Sequence, residues 1–178
     1  MTQPAVPLPV LLAGMTTAVA LLVGSMLVSR EPRFVYNPSA SVAPGWYHIE
    51  RMERADSLHV GSTVLVRLPA DVAALAAQRG YLPSGVPILK RVGALAPQSV
   101  CVREQTVRID GAVVADVRLQ DGLFRPLQAW GQCRALVEGE VFLLSDTHPA
   151  SFDSRYFGPV QVSAVLGIGH PLRIWGAP

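Results

Sequence analysis

The sequence predicts a mainly β domain, antiparallel with one minor helix, preceded by a single N-terminal transmembrane helix. Three observations carry that expectation: an uncharged apolar start, short β-branched runs bounded by turn residues, and one isolated alanine-rich segment. Residues 1–29 bear no charged side chain, and Val10 to Val28 is almost continuously apolar, long enough at helical rise to cross a hydrocarbon core. A cleaved signal peptide would need a basic start and a small-x-small cleavage site, and neither is clear before Arg30. Residues 1–29 therefore read as a retained anchor, residues 30–36 as a juxtamembrane connector, and residues 37–178 as one domain with its own core.

Within that domain the strand candidates are Trp46 to Ile49, Thr63 to Leu68, Ser99 to Arg103, Val141 to Leu144 and Leu172 to Trp175. Thr106 to Val114 contains Asp110-Gly111, a preferred two-residue hairpin turn because both positions tolerate positive φ. Ala70 to Arg79 is the helix, with Asp71 near its start and Gly80 just past its end.

Composition removes some functions. A net charge of +2 spread over separated arginines makes no basic patch, so nucleic-acid binding is not expected. His48, His59, His148 and His170 are scattered and form no HExxH pattern, so neither a metal site nor any cofactor is expected. Cys101 and Cys133 suffice for one disulfide, which would persist in an exported domain. Arg30 and Arg33 beyond the apolar stretch argue weakly against export, although long domains translocate largely regardless of such charges. The domain is placed on the extracytoplasmic side of a bacterial inner membrane.

Three segments hold chemistry. The first, Asn37 to Tyr47, has the Asn, Pro, Ser and Gly content of an ordinary turn and contains the hydroxyls of Ser39 and Ser41. The second carries Lys90, the one lysine of a chain whose other basic side chains are arginine. Lysine can lose its proton where arginine cannot, and Ile88, Leu89 and Val92 beside it would favour the neutral amine. The third runs from Phe142 to Pro159 and offers Ser151, with Asp153 and Arg155 able to pair.

In order and approximate spacing these segments resemble the boxes of the signal-peptidase superfamily. Ser41-Val42-Ala43-Pro44 is similar to its nucleophile box, Leu89-Lys90-Arg91-Val92 to its lysine box, and Ser151-Phe152-Asp153-Ser154-Arg155-Tyr156-Phe157-Gly158 to its last box. Asn37, Ser39, Ser41, Gly45 and Tyr47 further resemble the TraF-type peptidases of conjugative transfer systems, which typically process a pilin precursor and in some cases cyclise it. The resemblance implies Ser41 as nucleophile, Lys90 as general base and Ser39 as an oxyanion-holding hydroxyl. It also implies Ser151 as the residue orienting the lysine, and Asp153 with Arg155 as a supporting pair. Its implied partners are an exported pilin-like precursor and the membrane. Ser145-Asp146-Thr147 stands where general signal peptidases carry a Gly-Asp-Asn run, which argues against the housekeeping enzyme. The alternatives are a general type I signal peptidase, a non-catalytic exported scaffold, and a self-cleaving repressor, for which the DNA-binding domain is replaced by an apolar segment.

Overall fold

A computed structural model of the chain describes residues 7–27, 33–52, 57–145 and 147–175. Arg30 and Glu31 of the expected connector, and Asp146 of the third segment, lie outside the described residues. The chain divides into two units, Met1–Pro32 and Arg33–Pro178.

The first unit contains α1, Leu8–Leu27, whose 20 residues correspond to a rise of about 30 Å. Leu, Val and Ala dominate it, and neither its first nor its last turn carries a charge. Among the described residues no helix is long and apolar enough to cross a membrane.

The second unit is built on two antiparallel sheets, in accord with the mainly β expectation. The larger combines β1 (Phe34–Asn37), β2 (Gly45–Glu50), β3 (Thr63–Val66), β4 (Ile88–Leu95), β9 (Glu140–Leu144), β10 (Val160–Gln161) and β11 (Val165–Ile174). Its order is β1-β2-β11-β3-β4-β9-β10, so the last strand is inserted between the second and the third. The smaller contains β5 (Ser99–Arg103), β6 (Thr106–Ile109), β7 (Ala112–Asp116) and β8 (Cys133–Ala135), in the order β7-β6-β5-β8. Phe34 to Tyr36, expected as connector, are instead part of β1, with Val35 opposite Tyr47 and Asn37 opposite Gly45.

Local sequence explains several elements. Asp110 and Gly111 both adopt positive φ and close the β6–β7 hairpin. The Asp110 carboxylate also accepts from Ser99 N at 2.8 Å, tying that hairpin to β5. Helix α2, Ala70–Gln78, buries Val72 and Ala76 and stops at Gly80, whose φ is +71°. Cys101 lies opposite Cys133 on the paired strands β5 and β8, and the two form a disulfide.

Period-2 burial separates the core into clusters. On β3, Val64 and Val66 pack with Val92, Val141, Leu143 and Val160, while Leu65 joins Val42, Tyr47, Ile49 and Leu89. The small sheet closes over β4 and β9 through Val100, Val102 and Val107 against Ala94, Phe142 and Leu144. β4 therefore lies in the interior of the large sheet, between β3 and β9, and its Ala94 end is covered by the small sheet.

Candidate active site

Ser41 occupies the loop between β1 and β2, and one asparagine shapes that loop. Asn37 Nδ2 donates to the carbonyls of Ser39 at 2.9 Å, Val42 at 2.9 Å and Ala43 at 3.3 Å. Its Oδ1 accepts from Ser39 N at 3.1 Å and from Ser39 Oγ at 2.9 Å. Tyr47, buried on β2, donates its hydroxyl to the Ala43 carbonyl at 2.6 Å. Gly45 is required beside them: its φ is +153°, and a Cβ there would sit 2.2 Å from the Arg173 carbonyl oxygen. Val42 anchors the loop in the cluster that contains Leu89, the residue before Lys90. Ser41 is 8% exposed, and its Oγ lies 3.0 Å from Ser39 Oγ.

Lys90 lies on β4 opposite Val64 and is 5% exposed. Its Nζ donates to Ser151 Oγ at 2.5 Å. Burial among apolar side chains pushes the amine down from an ordinary value of 10.5 to about 8; Asp153 opposes that effect and Arg155 adds to it. At pH 7 such a lysine is neutral in roughly one molecule in ten, several hundred times more than an unperturbed one. Among the described residues no hydrogen bond joins Lys90 Nζ to Ser41 Oγ; each side chain engages its own serine.

Asp153 and Arg155 are, among the described residues, the most deeply buried charges, at 0% and 1% exposure. Arg155 Nε donates to Asp153 Oδ1 at 2.7 Å and Nη2 to Oδ2 at 2.9 Å, a bidentate pair. The remaining guanidinium donors reach the carbonyls of Asp116, Pro149 and Ser145. Asp153 also accepts from Ser145 N at 3.0 Å and from Arg155 N at 3.2 Å, the latter as N-cap of the short helix α3, Ser154–Phe157. Every donor of the fork is thus satisfied, which is the condition for burying such a pair. Together they fix both ends of the segment that carries Ser151. Gly158 closes that segment with φ +79°, and a Cβ there would meet Trp130 Nε1 at 2.4 Å.

The two halves of the site are joined by Thr147, whose Oγ1 donates to the Ala40 carbonyl at 2.7 Å across 107 positions of sequence. Asn37 and Thr147 were not singled out as site residues from sequence. Asn37 has a partial signal, its place in the Asn37, Ser39, Ser41, Gly45, Tyr47 pattern; Thr147 has only its place in Ser145-Asp146-Thr147, where the resemblance puts a Gly-Asp-Asn run, and nothing local gives its partner. Among the described residues no group of His, Cys, Asp and Glu is arranged to hold a metal ion.

A family model described as signal peptidase, peptidase S26, matches residues 9–174. A probable conjugal transfer protein TraF of Sinorhizobium fredii (strain NBRC 101917 / NGR234) is 30% identical over 167 residues, 89% of this chain and 86% of that protein. A conjugal transfer protein TraF of Agrobacterium tumefaciens (strain 15955) is 32% identical over 145 residues, 76% of this chain and 80% of its own length. A signal peptidase I structure from Enterococcus faecalis V583 is 24% identical and covers 63% of this chain and 96% of its own, with a TM-score of 0.39 that leaves it without weight here. On the family match and the near full-length relatives, this chain belongs to the signal peptidase family, peptidase S26, and is akin to its TraF-type conjugal transfer members.

Proposed function

We propose that the chain is a Ser/Lys serine peptidase of the bacterial envelope that processes an exported precursor in conjugative transfer, the precursor being a pilin-type protein. The observation that carries the reading is Lys90: a buried amine with a depressed pKa, held by one serine hydroxyl on a loop tied to the loop of Ser41. A structural lysine would gain from remaining charged and paired with a carboxylate; this one instead meets a hydroxyl.

In the proposed reaction, neutral Lys90 removes the Ser41 proton as Oγ attacks the scissile carbonyl. The oxyanion is held by the Ser41 backbone N–H and the Ser39 hydroxyl, for which Ser39 turns away from Asn37 Oδ1. Ser151 keeps Lys90 aimed, and the Asp153–Arg155 pair keeps Ser151 in place. Lys90 then returns the proton to the leaving amine, giving an acyl-enzyme. Water completes hydrolysis, whereas an amine of the same substrate chain completes a ring. In resting sites such hydrogen bonds are often formed only once substrate arrives, which accommodates a Ser41 hydroxyl now engaged with Ser39.

The remaining parts of the proposal concern place. α1 serves as a single-pass inner-membrane anchor, supported by its 20 largely apolar residues, and the catalytic unit is extracytoplasmic, supported by the Cys101–Cys133 disulfide.

Ser41→Ala and Lys90→Ala, each co-expressed with a candidate pilin precursor, test the reading. Both variants are expected to leave the precursor uncut, and substantial processing by either would sink the dyad. Mass spectrometry of the wild-type product separates the two outcomes, since a ring is one water lighter than the linear product.

A further inference from the structure

We propose that Thr147 is a positioning residue for the oxyanion site, acting through the Ala40–Ser41 peptide unit; the inference rests on the Ser41 reading above. Thr147 Oγ1 donates to the carbonyl oxygen of Ala40 at 2.7 Å. That carbonyl belongs to the same planar, trans peptide as the Ser41 N–H, so the two point in opposite directions and cannot be oriented separately. Holding the oxygen on one side therefore fixes the direction of the N–H on the other. Accepting a hydrogen bond at the carbonyl also polarises the unit and strengthens its N–H as a donor.

The geometry on both sides supports this role. Among the described residues no acceptor takes the Ser41 N–H, which leaves it available to a developing oxyanion. Thr147 itself stands on fixed ground: the N–H of Ser145 is held by Asp153 and its carbonyl by Arg155, while Ser145 Oγ accepts from His148 N at 3.0 Å. The Thr147 side chain is exposed, so its single bond to Ala40 is not needed to satisfy a buried group. The same segment continues to Ser151, the partner of Lys90, so Thr147 also couples the position of the oxyanion donor to that of the base.

The test uses the full-length protein in mild detergent and acetyl-alanine p-nitrophenyl ester as acylating probe. Ser41 Oγ bonds to the ester carbonyl carbon, the C–O bond to p-nitrophenolate breaks with its electron pair, and the Ser41 proton passes to Lys90. The burst of p-nitrophenolate gives the acylation rate, steady-state turnover gives kcat and KM, and mass spectrometry locates the acyl group. Thr147→Val keeps the shape and removes the donor; it is expected to slow acylation about tenfold with the dissociation constant of the probe unchanged, a fraction of the loss seen on deleting an oxyanion donor outright. Thr147→Ser restores the donor and is expected to acylate within about threefold of wild type. Combining Thr147→Val with Ser39→Ala is expected to cost less than the product of the two single losses, because both serve the same oxyanion. Wild-type acylation by Thr147→Val while Ser41→Ala is silent, or equal impairment of the Val and Ser variants, overturns the proposal. Acylation of Ser41→Ala at the wild-type rate instead removes the Ser41 reading, and this inference falls with it.

Discussion

Replacing Lys90 by methionine is expected to stabilise the fold while abolishing activity. The lysine sits 5% exposed, and its amine is pushed from 10.5 to about 8, mainly by desolvation. A depression of roughly 2.5 corresponds to about 3 kcal/mol of penalty for the charged form, at about 1.4 kcal/mol per pH unit. Methionine fills nearly the same volume without a charge and forfeits the bond to Ser151, worth about 1 kcal/mol. The net expectation at neutral pH is a gain of about 2 kcal/mol. Its pH dependence follows from linkage. Below pH 8 the lysine is protonated in folded and unfolded chains alike, so the whole penalty stands. Between about 8 and 10.5 the folded chain releases the proton and the unfolded chain keeps it, so wild-type stability rises with pH relative to the variant. Above that window the gain is gone. Urea unfolding of wild type and Lys90→Met in parallel, at several pH values, reads the difference and cancels the titration of shared groups such as Tyr47 and Tyr156. A variant less stable than wild type at pH 7, with a difference that ignores pH, would refute the claim that burial depresses this amine.

Further expectations concern the scaffold around the dyad. Asn37→Ala removes a buried donor to three carbonyls and an acceptor for Ser39, and should lower unfolding free energy by about 2–3 kcal/mol in urea titration. Arg155→Ala strands a fully buried Asp153 carboxylate and should cost about 3–5 kcal/mol, read as a loss in melting temperature together with activity. Replacing Cys101 and Cys133 by serine opens a loop of sequence separation 32 and should cost about 3–4 kcal/mol on the chain-entropy account, with the acylation rate of the folded fraction unchanged.

What could be read from sequence was what is encoded locally. The Asp110-Gly111 hairpin and the Ala70 helix depend on a few adjacent residues, and both formed close to the expected bounds. No local pattern marks β4 as a strand, although it carries Lys90, because Lys90-Arg91 interrupts its apolar run and the adjacent Leu89 and Lys90 are both buried, which breaks the alternation. The local pattern marks the C-terminal strand only from Leu172, because Gly167 and Gly169 look like breakers. In the fold these glycines let β11 approach β2 and β3: a Cβ on Gly167 would lie 2.4 Å from the Glu50 carbonyl oxygen. Its insertion between β2 and β3 is a pairing between distant segments that no local pattern encodes.

The same division runs through the site. Ser39, Ser41, Lys90, Ser151, Asp153 and Arg155 were named because their types and order match a family pattern, and the structure shows how each is held. The Asp153–Arg155 pair looked like loop surface because two charges two residues apart usually face water. Its burial depends on carbonyls from Asp116, Pro149 and Ser145, which only the folded chain assembles. Thr147 has the same origin, since its partner lies 107 positions away.

The pH dependence of kcat/KM tests the central claim, that neutral Lys90 is the base for Ser41, because it reports the ionisation of groups in the free enzyme. The rate is expected to climb tenfold per pH unit on the acid side and to level off above an apparent pKa of about 8, with the rise lost in Lys90→Ala. A profile that stays flat from about pH 6 to about pH 10, or one that Lys90→Ala leaves intact, would contradict it.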